Sequence, residues 1–250
     1  LKYLVPVLIL RCCFRMPRRV AYHWKLDSPR EFPAAIAVTL IVFAVANVWL
    51  LFSPVNFLSS STLGEAYYTV SYMRRSYQIV YLVFEVLAIS ICKELLLHGD
   101  MLHVLRQFGD WDAVILTAVV AVCLSHSCTT ILMELTFSLV SGVAVLRSGS
   151  VVPAIFCRLL YHVMLFGLFA MEIWQSSFWQ SYCLLFLFLV LIAGILLCLL
   201  SIRPTRKNPA LLTQKHYLTL RERLYTVMHV GPLSIVLILC VILMVIEVIF

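Results

Sequence analysis

Ionisable side chains inside an apolar stretch are the part of this sequence most able to do chemistry. Residues 77–109, YQIVYLVFEVLAISICKELLLHGDMLHVLRQFG, carry Glu85, Lys93, Glu94 and His98 within a run apolar enough for a membrane helix. One charged side chain at a bilayer centre costs about 2.5–3.5 kcal/mol on insertion scales, so a cluster of them indicates a functional site. We expect other helices to pack around this one and to supply partners for its charges.

Two histidines extend the candidate site to neighbouring helices. If the central helix ends at Phe108, with Gly109 in the left-handed conformation that often follows a helix, Glu94 lies roughly 20 Å from that end. His126 lies about as deep in the following apolar stretch, and His162 lies about eleven residues into a later one. We therefore predict that Glu94, His126 and His162 meet at a similar depth.

Helical spacing adds supporting groups. His98 is one turn from Glu94, and Arg158 is one turn from His162, so each pair shares a helix face. Buried ionisable groups need partners, which predicts one polar cavity in which these side chains satisfy one another. The alternative is that they only link neighbouring helices. Glu134 fits three interpretations, since it could line the cavity, bond a neighbouring helix or lie near the far interface.

Composition indicates the class of protein. With 63% hydrophobic residues, 12% charged residues and a mean hydropathy of +1.01, the chain is more apolar than a soluble domain. We predict an all-α, polytopic transmembrane bundle in which the nine cysteines are small core residues, not a disulfide framework or a zinc cage. About seven apolar stretches are long enough to span: 34–51, 77–109, 111–128, 130–146, 151–173, 181–201 and 232–250.

Basic residues lie between the apolar stretches. We divide the chain into a truncated hydrophobic stub and basic loop at 1–33, a transmembrane core at 34–202, and a basic loop with a C-terminal helix at 203–250. The loops 11–33 and 202–231 each contain six Lys or Arg residues, which predicts that both are cytoplasmic. Charge in this pattern orients the chain and contacts anionic lipid, so we expect membrane lipids and no nucleic acid as partners.

Three ordered segments resemble a known family. KELLLHG, HVLRQFGDWDAVILTAVVAVCLSH and GVAVLRSGSVVPAIFCRLLYH, within about residues 85–166, are similar to the glutamate motif and two histidine helices of the CPBP intramembrane proteases, which include the type II CAAX prenyl endopeptidases. The resemblance implies an endopeptidase that hydrolyses a peptide bond near the membrane, in a prenylated or other membrane-bound peptide. It leaves the oligomeric state open.

The family's glutamate motif is altered here. Its pattern E-E-x-x-x-R falls on Lys93, Glu94 and His98, so the second glutamate is kept while the first has become lysine and the arginine histidine. In the family the first glutamate is expected to activate water, and a protonated lysine cannot accept a proton. The resemblance therefore leaves Glu94 as the remaining carboxylate base.

The family's histidine motifs are kept in part. F-x-x-x-H falls on Val122 and His126, and H-x-x-x-N falls on His162 and Phe166, so both histidines remain while the phenylalanine and asparagine are lost. The resemblance implies that His126 shares the water with Glu94 and that His162 stabilises the oxyanion. Loss of an oxyanion donor costs other enzymes about 100- to 1,000-fold in rate.

Three functions follow from these residues. The first is an endopeptidase, with catalytic residues Glu94, His126 and His162 and supporting residues Lys93, His98 and Arg158. The second is a catalytically inactive family member that binds a peptide or lipid, or regulates a membrane partner. A proton-relay transporter has less support, because no half-helix break or inverted repeat is visible in the sequence.

Zinc is the one cofactor that these residue types allow. Glu94, His126 and His162 match the His2Glu ligand set of catalytic zinc sites. No H-E-x-x-H spacing occurs, so the three ligands would have to come from three different helices. We therefore assign no firm cofactor.

Overall fold

The described part of the chain is helical. The computed structural model describes residues 24–26, 31–52, 75–125, 131–173 and 178–201, together with Glu222 and Tyr225. Every regular element within these ranges is a helix, which confirms the all-α prediction for them. The N-terminal stub, most of both basic loops and the predicted span 232–250 lie outside the described residues.

Six long helices occupy these ranges, and each coincides with an apolar stretch of the sequence. They are α1 Glu31–Phe52, α2 Arg75–Glu94, α3 Asp110–Ser125, α4 Ile131–Ser148, α5 Val152–Ile173 and α6 Trp179–Ser201. Turn-forming and charged residues separate the apolar stretches, so the sequence places the helices within a few residues of their observed ends.

The central helix continues past α2 but changes its winding. Leu95–Met101 is π-helical, Leu102–Leu105 returns to one α-helical turn, and Arg106–Phe108 closes as a 3-10 turn. The chain then reverses at Gly109, as predicted. The expected left-handed conformation was wrong, because Gly109 has φ 130° and ψ 152°. Its carbonyl accepts the Ala113 N–H at 2.9 Å, so it also caps α3, and that role requires an extended ψ.

Two pairs of helices pack closely against each other. Helix α6 packs along α1, where a Cβ on Gly194 would lie 2.9 Å from Ile41 Cγ1 and 3.2 Å from the Ala37 carbonyl oxygen. Helix α4 packs along α3, where a Cβ on Gly142 would likewise lie close to the Val114 side chain. Such small residues let helix backbones approach, which is how membrane helices gain van der Waals contact.

Two of the described helices are long and apolar enough to cross a membrane. They are Glu31–Val48 within α1, with mean hydropathy 1.9, and α6, with mean hydropathy 3.3. Phe188, Leu189 and Leu196 on α6 are exposed, as lipid-facing side chains are. The seven-span topology and the cytoplasmic placement of the basic loops stay predictions.

Candidate functional site

Arg158 on α5 is the centre of the polar site. Its side chain is 1% exposed, and its Nε donates to Glu94 Oε1 at 2.8 Å. Its two terminal nitrogens donate to Glu134 on α4, Nη1 to Oε1 at 2.9 Å and Nη2 to Oε2 at 3.1 Å. The Phe137 ring lies 4.2 Å from the guanidinium carbon, which adds a cation–π contact. Arg158 thus ties α2, α4 and α5 together.

Lys93 joins the same carboxylate from α2. Its Nζ donates to Glu134 Oε2 at 2.9 Å, and its side chain is 5% exposed. Lys93 and Arg158 carry two positive charges, and Glu94 and Glu134 carry two negative charges. The ion pairs are therefore balanced, which is the condition under which charges persist inside a low-dielectric core.

His98 completes the arrangement beside Glu94. Its Nδ1 lies 2.6 Å from Glu94 Oε2, and its Nε2 lies 3.1 Å from the Ser138 carbonyl and 3.4 Å from the Ser138 hydroxyl. Nδ1 donates to the Glu94 carboxylate, which can only accept, while Nε2 donates to the Ser138 carbonyl when it carries a proton and accepts from the Ser138 hydroxyl when it does not. We call Lys93, Glu94, His98, Glu134 and Arg158 the ion-pair network.

All carboxylate oxygens of the ion-pair network accept a hydrogen bond. On Glu94, Oε1 accepts from Arg158 and Oε2 from His98. On Glu134, Oε1 accepts from Arg158 and Oε2 from both Arg158 and Lys93. Strong donors therefore hold both acids in their charged form.

The π-helical segment positions this network. Residues 96–100 are all buried, so the segment is enclosed on every side. The Leu102 N–H bonds to the Leu97 carbonyl, one residue further back than in an α-helix. Segments of this kind are frequent at functional sites. Here the widened winding begins directly after Glu94 and includes His98.

The other two predicted histidines are His162 and His126. His162 lies one turn from Arg158 on α5 and is 6% exposed, and its ring packs edge-on to Tyr161 with the centroids 5.4 Å apart. Neither of its ring nitrogens has a hydrogen-bond partner among the described residues. His126 lies outside those residues. The structure therefore joins Glu94, His98 and Arg158 by hydrogen bonds, while His162 lies one turn further along α5 and makes no hydrogen bond to them.

Glu134 is the member of the network whose partners the sequence left open. It lies on a different helix from both Lys93 and Arg158, and no helical spacing links it to them. The sequence did contain a signal for this pairing. An acid in an apolar helix needs a cation nearby, and Lys93 had no acidic partner on its own helix face.

Phe166, at the family's asparagine position, is 47% exposed on α5.

The zinc site stays a prediction, because His126, one of its three ligands, lies outside the described residues. They contain no group of three or more His, Cys, Asp or Glu side chains placed to hold a metal ion. Both oxygens of Glu94, one of the three expected ligands, already accept from Arg158 and His98. A guanidinium 2.8 Å from the carboxylate would also repel a divalent cation.

The ion-pair network falls inside a recognised family region. Residues 75–164 match the family model Rce1-like, described as type II CAAX prenyl endopeptidase Rce1-like. The resemblance to the CPBP proteases is confirmed. The match covers about a third of the chain, and it shows that this region is similar to the CAAX-type membrane proteases. No curated protein and no solved structure matches the chain.

Proposed function

We propose that this chain is a multi-pass membrane protein of the CAAX protease type whose polar centre binds a membrane-bound or lipidated peptide without hydrolysing it. One observation carries the proposal: every carboxylate oxygen of the ion-pair network accepts a hydrogen bond. A general base must accept a proton from water within hydrogen-bond reach. Each Glu94 oxygen keeps a second lone pair, but the donors Arg158 and His98 stabilise the charged carboxylate and so weaken it as a base.

Lys93 strengthens the argument. It occupies the position of the family's water-activating glutamate, and its ammonium donates to Glu134 at 2.9 Å. A lysine in an ion pair is a donor and cannot act as a base. The centre therefore keeps the charge balance of a folded core without a carboxylate that is free to deprotonate water.

Two further observations support peptide binding at the polar centre. The Rce1-like region belongs to a family of proteases that act at membranes, and His162 presents ring nitrogens that have no partner among the described residues. With the loops 11–33 and 202–231 on the cytoplasmic side, a lipid-anchored peptide would reach the centre from that face. Membrane lipids and such a peptide are the expected partners.

His162 also favours a second candidate, the intramembrane endopeptidase. An imidazole buried without a partner is placed to donate to a developing oxyanion. In that case Glu94 would leave Arg158 and take a proton from water together with His126. The two candidates differ in one product, since only the endopeptidase generates new peptide amino termini.

Photo-cross-linking tests the binding proposal. The full chain, reconstituted in lipid bilayers, is mixed with pooled farnesylated and unlipidated peptides that carry a photoreactive residue. We expect cross-links within residues 75–164, reduced by His162→Ala and unchanged by Arg147→Gln, which alters only an exposed ion pair with Glu31. If no cross-links form, or if His162→Ala does not reduce them, peptide binding at this centre is contradicted.

A further inference from the structure

Helices α2 and α5 run antiparallel in a register that the ion-pair network fixes. Glu94 of α2 bonds Arg158 of α5. Two turns earlier on α2, which contacts α5, Val86 packs against a cluster from α1, α5 and α6 whose α5 members, Met164, Leu165 and Leu168, all come after Arg158. As the residue number falls along α2, the number of the facing residue on α5 therefore rises.

This register places Ser90 opposite His162. Ser90 is four residues before Glu94, and His162 is four residues after Arg158. Residues four apart lie on the same face of an α-helix, displaced by about 6 Å along its axis. Both steps lead away from the Glu94–Arg158 ion pair in the same direction. The two residues therefore lie at the same level, one turn beyond the network.

Both groups are buried and unsatisfied. Ser90 is 0% exposed and His162 is 6% exposed. Neither Ser90 Oγ nor either ring nitrogen of His162 has a hydrogen-bond partner among the described residues, so the two do not bond each other. Buried polar groups are nearly always hydrogen-bonded. Two such groups at the same level on neighbouring helices are candidates to bind a polar group from another molecule.

We propose that Ser90 and His162 together bind one carbonyl oxygen of the peptide. The Ser90 hydroxyl and one ring N–H supply two donors, and a carbonyl oxygen has two lone pairs to accept them. Glu94 one turn away disfavours an anion, while Arg158 and Lys93 disfavour a cation, so a neutral acceptor fits best. Ser90 then provides from α2 a donor that Phe166, one turn beyond His162, cannot provide. This site rests on the proposed function for the identity of the ligand.

The test uses a small amide in place of the unidentified peptide. The full chain in detergent micelles, with ¹⁵N-labelled histidine, is titrated with N-butylacetamide, and the ring ¹⁵N resonances of His162 are assigned with His162→Gln. We expect the amide to shift these resonances. Ser90→Ala should weaken the apparent affinity about three- to tenfold, the value of one neutral hydrogen bond, and Ser90→Thr should retain it.

Matched controls separate this site from other effects. Ser141 Oγ is a second buried hydroxyl without a partner among the described residues, on α4, so Ser141→Ala should leave the titration unchanged. Heptane, which fills space without accepting a hydrogen bond, should not shift the resonances. No response to the amide, an equal response in Ser90→Ala, or an equal response to heptane overturns the carbonyl site. An amide response without peptide cross-linking would reject the peptide ligand and keep the site.

Discussion

Lys93 and Arg158 donate to the same carboxylate: Lys93 Nζ lies 2.9 Å from Glu134 Oε2, and Arg158 Nη1 lies 2.9 Å from Oε1. The lysine stands where the motif that this sequence resembles has an acid, and the acid that neutralises the lysine comes from a neighbouring helix. The substitution at position 93 is thus compensated inside the core. Compensation explains how the fold keeps a buried lysine, and it also explains why that position cannot supply a base.

Glu134→Gln should destabilise the protein strongly. The change leaves Lys93 and Arg158 with only Glu94 to balance two buried positive charges, and breaking a buried ion pair from one side costs about 3–5 kcal/mol. Unfolding in detergent, followed by circular dichroism, measures the loss. The double variant Lys93→Met/Glu134→Gln restores the charge balance and should recover part of it.

A surface pair provides the control for that experiment. Arg147 and Glu31 lie 3.5 Å apart with side chains 47% and 28% exposed. Glu31→Gln should change the free energy of unfolding by at most about 1 kcal/mol. A loss at Glu134 no larger than the loss at Glu31 would show that the ion-pair network does not hold the core together.

Gly194→Ala should loosen the α1–α6 contact. The added Cβ would lie 2.9 Å from Ile41 Cγ1 and 3.0 Å from Leu40 Cβ, so the helices must separate, at a cost of about 1–3 kcal/mol. Gly167→Ala is the matched change, because its nearest neighbour, Phe186 Cζ, is 3.9 Å away. That variant should be neutral or more stable, since alanine is the better helix former. Equal thermal stability of both variants would refute the close contact at Gly194.

Gly109→Ala should lower the stability of the fold more than Gly149→Asn does. Gly109 has φ 130°, a region that side-chain-bearing residues avoid, so alanine there costs about 1–3 kcal/mol. Gly149 has φ 68°, in the left-handed region that asparagine adopts readily. Thermal unfolding of the two variants compares them. A smaller loss at Gly109 than at Gly149 would argue against the reversal described between the central helix and α3.

The sequence predicts where the helices lie better than it predicts which side chains pair between helices. Apolar stretches separated by turns locate α1 to α6, and the Glu94–His98 contact follows from their spacing on one helix. The pairing of Glu134 with Lys93 and Arg158 depends on how helices rotate about their axes. Helices that are apolar on most faces give little pattern from which to read that rotation. The sequence does not reveal the π-helical segment, because its winding departs from the 3.6 residues per turn on which the helical spacing rests.

The central claim is that the donors on Glu94 and Glu134, with lysine at position 93, leave the natural chain without an effective general base. Its most direct test is the formation of new amino termini from pooled farnesylated and unlipidated peptides, incubated with the reconstituted full chain and with Glu94→Gln. We predict no cleavage by the natural chain. Lys93→Glu/Glu134→Gln, which returns an acid to position 93 and removes the facing carboxylate, is the variant expected to gain cleavage. Cleavage by the natural chain that Glu94→Gln abolishes would contradict the account and establish the endopeptidase.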